Sequence, residues 1–250
     1  REPIAKTTLA SANQNRDCRI FEDFAFYMMK EACEKRATNI LDIPGKKYAF
    51  DSTTISLCLS TFPWAKFRRK KGGVKAHVLY DIEAQVPAFY TVSTASKHDS
   101  TEMSSIPYEP NAYYIFDRAS DSFKELYSIH LTDSFYVVRA KTNLKYEIVN
   151  WKRRMPKNVL TDAEVKLTGY LSEKKYPESF RLVRYYDEEE EREFTVLTNA
   201  KHLNALEVAE LYKKRWLVEL FFKWLKQHLK IKKFRGTTEN AVRIRIAVAI

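Results

Sequence analysis

Apolar residues recur along the chain with two spacings, one helical and one strand-like. Residues 20–36 place apolar side chains at helical intervals, and Asp17 stands where a helix N-cap is expected. After a break at residues 43–45, three short segments are rich in β-branched and aromatic residues, namely residues 48–55, 74–80 and 86–92. The pattern predicts a helix followed by a three-stranded antiparallel meander.

Strand and helix patterns then alternate along the rest of the chain. Residues 112–116 predict a compact apolar strand, residues 120–129 an amphipathic helix, and residues 134–138 a second buried strand. Residues 139–198 contain several β-prone stretches separated by turns or charges, so we interpret them as an all-β insertion. Residues 205–230 contain neither Gly nor Pro and follow helical spacing, which predicts one late helix.

This order of elements predicts an α/β fold with a mixed sheet and flanking helices, as in the RNase H-like fold. The chain begins with Arg rather than Met and stops inside an apolar, helix-like stretch, so we expect the complete protein to extend in both directions. Three parts are predicted: a connector and helix at residues 1–42, an RNase H-like domain at residues 43–138 and 199–250, and the β-rich insertion at residues 139–198.

Charge is segregated in this basic chain of 250 residues, whose net charge is +11 and whose pI is about 9.4. Residues 201–250 hold 12 Lys and Arg against 4 Asp and Glu, and residues 63–77 hold 6 basic residues and no acid. The acidic run at residues 187–191 is interpreted as a solvated hairpin loop. A nucleic-acid-binding face explains this distribution, and a solvated basic surface is the alternative.

Cysteines and apolar runs exclude several classes of protein. The three cysteines are odd in number and lack C-x-x-C spacing, so neither a disulfide framework nor a zinc site is indicated. The apolar runs are short and interrupted by charge, which is not the pattern of a signal peptide or a membrane span. We expect a cytoplasmic protein without a membrane partner.

Two aspartates close predicted strands, a position that suits a metal ligand. Asp51 follows one β-prone run and Asp117 follows the strand at residues 112–116. A side chain at a strand end is held by the sheet yet reaches solvent. Cleavage of a phosphodiester with two Mg²⁺ ions requires such converging carboxylates. Taken singly, each aspartate is also the ordinary first residue of a turn.

The predicted late helix carries a polar stripe that includes one acid. Tyr212, Arg215, Glu219 and Lys226 lie at offsets that place them on one side of a continuous helix. The opposite face, expected to pack on the sheet, comprises Leu217, Leu220, Phe221, Trp224 and Leu225. An ordinary amphipathic helix with an Arg215–Glu219 salt bridge has the same pattern, so spacing leaves both interpretations open.

The complete spacing Tyr212-x2-Arg215-x3-Glu219-x6-Lys226 resembles the signature around the last acid of insertion-sequence transposases of the DDE type. Segments similar to other conserved regions of that family surround it, at residues 50–53, 72–77, 97–100 and 116–119. The resemblance covers nearly the whole chain, including a β-rich insertion before the last acid.

The resemblance implies a function and a set of roles. Asp51, Asp117 and Glu219 are the implied catalytic ligands of Mg²⁺ or Mn²⁺, and the implied DNA contacts are Tyr212, Arg215 and Lys226. The implied reaction is cleavage at transposon ends followed by transfer of the freed 3′-OH into target DNA. It further implies a missing N-terminal DNA-binding region, a homodimer on double-stranded DNA, and a bacterial, nucleoid-associated location.

Additional residues are candidates for supporting roles. Lys66, Arg68 and Arg69 lie in an aromatic and basic loop that suits phosphate contact, although a mobile basic loop is the alternative. Lys75 shares one strand face with His77, which could meet DNA or solvent. His98 and Asp99 are candidates for hydrogen bonds that orient the metal ligands. The alternative is a turn in which Asp99 caps the next helix. We assign Trp216 and Trp224 to the core.

Two other functions fit parts of the pattern. One is an inactive DNA-binding relic of a transposase, against which the three intact acids argue. The other is a different RNase H-like nuclease, such as a junction resolvase, which would have no reason to retain Tyr212 and Lys226 with Glu219.

Overall fold

A computed structural model describes residues 5–36, 38, 40–68, 71–97, 99–117, 122–152, 154–228, 234 and 236–250. The chain divides into two compact units. The first comprises Arg1–Thr38, Asp51–Glu102 and Leu217–Ile250, and the second comprises Asn39–Phe50 and Met103–Trp216. One division falls inside the first strand, between Phe50 and Asp51.

Helices and strands alternate along the chain, and the structure gives their bounds as follows. The helices are α1 (Lys6–Asn15), α2 (Cys18–Lys35), α3 (Asp99–Glu102), α4 (Phe123–Leu131), α5 (Tyr170–Lys175), α6 (Ala205–Lys213), α7 (Trp216–His228) and α8 (Glu239–Ala249). The strands are β1 (Lys47–Leu57), β2 (Lys66–Arg68), β3 (Lys71–Asp81), β4 (Val86–Thr94), β5 (Tyr113–Phe116), β6 (Phe135–Arg139), β7 (Tyr146–Trp151), β8 (Val159–Leu167), β9 (Phe180–Asp187) and β10 (Arg192–Thr198). Short 3-10 helices lie at Pro63–Ala65 and Met103–Ser105.

The first unit contains a long antiparallel pair and the helices that cover it. β3 and β4 pair antiparallel from Val74 opposite Thr94 to Asp81 opposite Val86. α2 packs on β4 and on α8, and the Phe26 ring stacks on Tyr90 at 5.2 Å between centroids. The predicted cap of α2 is confirmed, because the Asp17 carboxylate accepts the backbone N–H of Arg19 at 3.0 Å.

The second unit contains the mixed sheet. The start of β1 pairs parallel with β5, and β5 pairs parallel with β6. β6 then pairs antiparallel with β10, and the antiparallel order continues through β9 and β8 to β7. α4, α5 and α6 pack on these strands. The predicted α/β class with a mixed sheet and flanking helices is confirmed, and the order of elements is the one expected for the RNase H-like fold.

The β-rich segment at residues 139–198 forms four strands and one short helix, α5. The helix was not predicted from the residue pattern. The last strand of the segment, β10, pairs with β6 through Val196 opposite Arg139, so the segment's strands extend the sheet of the second unit. That residues 139–198 are an insertion into an RNase H-like domain remains a prediction.

The prediction of a single late helix is wrong. α6 ends at Lys213 and α7 begins at Trp216. At the break, the Lys214 N–H donates to the Leu211 carbonyl at 3.1 Å and the Arg215 N–H donates to the Tyr212 carbonyl at 3.0 Å. These i to i−3 bonds tighten the last turn and end the helix without Gly or Pro.

The predicted buried face of α7 is also partly wrong. Its buried residues are Val218, Phe222 and Leu225, which are spaced by four and three positions. Leu220 and Trp224 are 43% and 49% exposed, although both were expected to pack on the sheet. The apolar stripe that packs is therefore rotated from the one chosen by hydrophobicity alone.

A buried ion pair joins two strands of the second unit. Arg181 on β9 and Asp162 on β8 are both about 4% exposed and form two hydrogen bonds, of 2.6 and 2.7 Å. Arg181 also donates to the Leu203 carbonyl, which lies just before α6. Burial tends to raise the pKa of Asp162, but the contacts with Arg181 and Lys152 hold it below its usual value.

We predict that Arg181→Met lowers the free energy of unfolding by about 3 to 5 kcal/mol, because the Asp162 charge would remain buried without its main partner. Arg184→Met on the same strand is the matched control. It removes an exposed pair with Glu193 and should cost less than about 1 kcal/mol. Urea unfolding measures both, and equal losses would contradict the structural role of the buried pair.

Candidate active site

Three neighbouring strands of the second unit are aligned in register at the carboxyl end of β5. Phe50 on β1 is opposite Phe116 on β5, and Phe116 is opposite Val138 on β6. In each strand the next residue is polar: Asp51, Asp117 and Arg139. Because parallel neighbours point in one direction, the register determines which residues of adjacent strands lie opposite each other.

Asp117 is exposed at the end of β5, and two contacts hold it. Its backbone carbonyl accepts the N–H of Arg139 at 2.9 Å, which continues the parallel pairing of β5 and β6 by one bond. Its carboxylate oxygen Oδ1 accepts the phenolic O–H of Tyr212 at 3.1 Å. The structure therefore brings together two of the predicted site residues, Asp117 and Tyr212.

Tyr212 is held on the last turn of α6. Its side chain is 5% exposed and its ring packs on Phe194 of β10 at 5.6 Å. Burial raises the pKa of Tyr212, and the negative charge of Asp117 raises it further, whereas Arg215 and Arg139 act in the opposite direction. The phenol consequently remains protonated near neutral pH, so it can act as a hydrogen-bond donor to the aspartate.

Arg139 is a site residue that was not predicted from the sequence. Its guanidinium lies 5.1 Å from the centroid of the Phe194 ring, which also packs on Tyr212. The signal was present in the chain, because Arg139 follows the apolar run of β6 as Asp117 follows that of β5. Only the register shows that these two ends are neighbours.

The other predicted metal ligands lie in the first unit. Asp51 is half-buried, and its carboxylate accepts the backbone N–H of Ser52 at 2.7 Å. The prediction that it closes a strand is wrong, because β1 continues to Leu57. Glu219 is exposed in the first turn of α7 and Lys226 is exposed in the last turn. An acid near the N-terminus and a base near the C-terminus both complement the helix dipole.

The role of the three carboxylates as metal ligands stays a prediction. Carboxylate oxygens suit Mg²⁺ and Mn²⁺ as ligands. In the part of the chain that the structure describes, no group of three or more His, Cys, Asp and Glu side chains is arranged to hold a metal ion.

The remaining predicted contacts are placed individually. Lys66 is exposed at the start of β2, and Lys75 is half-buried on β3, where its Nζ donates to the Lys97 carbonyl at 3.1 Å. Arg69 and His98 lie outside the described residues, as do the side chains of Arg68 and Asp99. Arg68 ends β2 and Asp99 begins α3.

Neither open interpretation of His77, a DNA-facing or a solvent-facing side chain, matches the structure. The side chain is 1% exposed, and its Nε2 lies 2.8 Å from the Ser93 hydroxyl of the paired strand β4. His77 and Ser93 are both buried. Alternation along β3 therefore predicted which residues share one face of the strand, but not that the rest of the protein covers His77.

Assigning Trp216 and Trp224 to the core is wrong. They are 48% and 49% exposed, and the Trp224 ring stacks on His228 at 5.5 Å. The physical reason is the rotation of the buried face of α7, which is formed by other residues of the helix.

The acidic hairpin between β9 and β10 is only partly a solvated loop. Glu188, Glu189 and Glu190 are exposed as expected, but Asp187 is 3% exposed. Its carboxylate accepts the backbone N–H groups of Glu189 and Glu190 and lies 3.2 Å from Lys213 Nζ at the end of α6. Burial tends to raise the pKa of Asp187, but these contacts lower it on balance.

Comparison with known proteins identifies the family. The family model described as "Transposase DDE domain" matches residues 44–250, which is most of the chain. The chain belongs to the transposase DDE domain family. This result agrees with the resemblance seen in the sequence.

Two curated relatives of this DDE-domain chain are similar over most of its length. It is 33% identical over 205 residues to "Putative transposase y4zB" of Sinorhizobium fredii, covering 80% of the chain and 57% of the relative. It is 31% identical over 219 residues to "Probable transposase for insertion sequence element IS5377" of Geobacillus stearothermophilus, covering 84% and 55%. The chain thus spans little more than half the length of these relatives.

One solved structure, of a piggyBac transposase synaptic complex with hairpin DNA, aligns with 83% of the DDE-domain chain and 46% of its own chain. Sequence identity is 12% and the TM-score is 0.46. In the described part of the chain, no helix is long and apolar enough to cross a membrane.

We predict that Lys213→Met lowers the free energy of unfolding by about 1 to 2 kcal/mol at neutral pH, because the buried Asp187 carboxylate would lose its cationic partner. The folded-state pKa of Asp187 is lowered, so the pair stabilises the fold above the ordinary aspartate pKa. This contribution is lost as pH falls through the lowered value.

The difference between the two proteins should therefore shrink below about pH 4, which urea unfolding at several pH values can measure. Lys214→Met at the adjacent position is the matched control and should change stability by less than about 0.5 kcal/mol. A difference that stays constant down to the lowest pH would rule out the ion pair as its cause.

Proposed function

We propose that this chain is the catalytic part of an insertion-sequence DNA transposase, which cleaves DNA at transposon ends and joins the ends to target DNA. The observation that carries the proposal is the contact between Tyr212 and Asp117. It connects the residue that opens the family-like spacing on α6 to the aspartate that follows β5. Membership of the DDE domain family supports the same conclusion.

Asp51, Asp117 and Glu219 are the residues that would hold Mg²⁺ or Mn²⁺. Their chemistry fits, because all three supply carboxylate oxygens and because Asp51 and Asp117 directly follow the register pair Phe50 and Phe116. When bound, the two metal ions lower the pKa of the attacking hydroxyl group and neutralise charge on the phosphate oxygens.

Tyr212 acts on Asp117 rather than on DNA. Its buried phenol donates to Oδ1 of Asp117 and restricts the rotation of the carboxylate. An aspartate at an exposed strand end otherwise samples several rotamers. The hydrogen bond from the buried Tyr212 hydroxyl therefore preorganises the Asp117 carboxylate as a metal ligand.

Cationic side chains bind the phosphates next to the reacting group. Arg215 lies in the turn between α6 and α7, where its planar guanidinium can contact a phosphate through two hydrogen bonds. Lys226 supplies an exposed charge on the last turn of α7. Arg139 is added to this set because it is the last residue of β6 and its backbone N–H donates to the Asp117 carbonyl.

The proposed reaction has two balanced steps. A water oxygen attacks the phosphorus at the transposon end, the bond from phosphorus to the 3′ oxygen breaks, and the products are a 3′-OH and a 5′-phosphate. The 3′-OH then attacks a phosphorus of the target, and another 3′-OH leaves. No protein nucleophile is required. In the second step one phosphodiester bond forms as another breaks, so their number is conserved.

Binding to double-stranded DNA is proposed for the basic residues outside the site. Lys66, Arg68, Arg69 and Lys75 would contact the phosphate backbone, and His98 with Asp99 would support the metal ligands. We also propose that two copies act together on paired ends, in the bacterial cytoplasm on nucleoid DNA. Residues 139–198 would be an insertion into the RNase H-like domain. A separate DNA-binding region would precede that domain.

We predict that Glu219→Gln abolishes Mg²⁺-dependent cleavage and strand transfer on cognate ends, with a loss of at least about 10³-fold, because an amide is a poor ligand for Mg²⁺. Binding of the same DNA should change less than about threefold, since one exposed acid is removed. Rates come from gel analysis of labelled ends, and affinities from fluorescence anisotropy.

Glu210→Gln is the matched control, because Glu210 is also exposed on a helix of this region but is not a proposed ligand. It should retain the wild-type rate. If Glu219→Gln lost DNA binding and chemistry together, the glutamate would have a structural role instead. If wild-type protein bound the ends but never cut them with Mg²⁺ or Mn²⁺, an inactive DNA-binding relic would be indicated.

A further inference from the structure

Helix α2 presents an apolar stripe to solvent. Ile20, Phe24, Tyr27 and Met28 are 63%, 63%, 59% and 49% exposed. Their spacing of four, three and one places them within about 100° of one another around the helix. A continuous group of large exposed apolar side chains is unusual on a protein surface and marks an interaction site.

The stripe is distinct from the face that holds α2 in the first unit. Ala25 and Met29 are buried, Phe26 stacks on Phe89 and Tyr90, and the helix packs on α8 and β4. The helix is therefore already anchored without the stripe. The exposed side chains are available for a second contact.

Charge excludes DNA as the occupant of this stripe. α2 holds the acids Glu22, Asp23, Glu31 and Glu34 and the bases Arg19, Lys30 and Lys35, so its net charge is −1. The whole chain, in contrast, has a net charge of +11. A helix without excess basic charge would not attract phosphates or an anionic membrane surface.

Two charges along one edge of the stripe indicate a second copy of this chain as the partner. Asp23 and Lys30 are both exposed, and they lie about 20° apart around the helix on the Tyr27 side. In the described part of the chain, neither has an ion-pair partner. They have opposite signs and are seven positions apart, or about 10 Å along the axis.

When two identical helices pair antiparallel about a two-fold axis, the same edge of each helix faces that of the other. Asp23 of one copy then faces Lys30 of its partner, and Lys30 faces Asp23, so a single edge makes two complementary contacts. In a parallel pair, opposite edges would face each other and Asp23 would not meet Lys30.

We propose that the stripe formed by Ile20, Phe24, Tyr27 and Met28 is a homodimer contact in which two α2 helices pair antiparallel, with Asp23–Lys30 ion pairs at its edge. The apolar side chains supply the association energy and the two charges set orientation and register. A stripe of this size supports a weak dimer, which would add to pairing of two copies on DNA.

Sedimentation equilibrium of the chain without DNA, from about 5 to 500 μM, tests the proposal. Wild type should show a reversible monomer–dimer equilibrium. Phe24→Ser should weaken it by roughly thirtyfold or more, because a central aromatic side chain is lost. Leu171→Ser is the matched control: Leu171 is 69% exposed on α5, and its variant should dimerise like wild type.

Charge variants test the orientation of the helices. Asp23→Lys and Lys30→Asp should each weaken self-association by about tenfold at low salt, because like charges would face each other in both contacts. An equimolar mixture of the two variants should recover the wild-type equilibrium, because the mixed dimer again pairs opposite charges. In 1 M NaCl the effects of both charge variants should disappear, while the effect of Phe24→Ser should remain.

A wild-type chain that stays monomeric to the highest concentration would overturn the proposal, as would a dimer that Phe24→Ser leaves unchanged. Failure of the mixture to recover association would overturn the antiparallel arrangement. Since DNA is absent, these outcomes are independent of whether the chain cleaves DNA, and a failure of the proposed chemistry would leave them unaffected.

Discussion

The parallel register of β1, β5 and β6 is the constraint on which the account of the site depends. Side chains alternate between the two faces of a strand, so a slip of one residue would turn every side chain of that strand to the opposite face. The register is fixed by burial on both faces, because all four residues of β5 are buried. Asp117 therefore cannot move relative to Phe50 and Val138 without disrupting this core.

The same constraint explains the position of α6. Its inner face packs on the strands that follow β6 in the sheet, and Tyr212 lies on Phe194 of β10. From that position the phenol reaches the carboxylate at the end of β5. Asp187 and Lys213 attach the last residue of the helix to β9, so the donor and the aspartate are held by one continuous sheet.

The end of β5 was predictable because the signal is local, whereas β1 continues past Asp51 to Leu57. The apolar run at residues 113–116 and the aspartate after it are adjacent in the sequence, and burial of the strand confirms the interpretation. The break between α6 and α7 was not predictable in this way, because the segment contains no helix-breaking residue. Hydrogen bonds at Lys214 and Arg215 end the helix there, and the division between the two units falls just after the break, between Trp216 and Leu217.

Buried polar residues show the other limit of sequence reasoning. His77 bonds to Ser93 and Asp187 pairs with Lys213, so each partner is distant in the chain and no local pattern indicates it. Arg139 entered the site for the same reason, since only strand pairing makes it a neighbour of Asp117. Hydrophobicity was also misleading for Trp216 and Trp224, because large apolar residues are common on protein surfaces.

The central proposal is that Asp51, Asp117 and Glu219 would act together as the ligands of one metal centre. Replacing Mg²⁺ with Fe²⁺ and generating hydroxyl radicals with ascorbate and peroxide cuts the backbone next to bound iron, and mass spectrometry locates the cuts. If the three carboxylates share one metal centre, cuts are expected in three places, close to residues 51, 117 and 219, and excess Mg²⁺ should suppress all of them. Cuts at only one of these places, or cuts elsewhere that Mg²⁺ suppresses, would contradict the proposal.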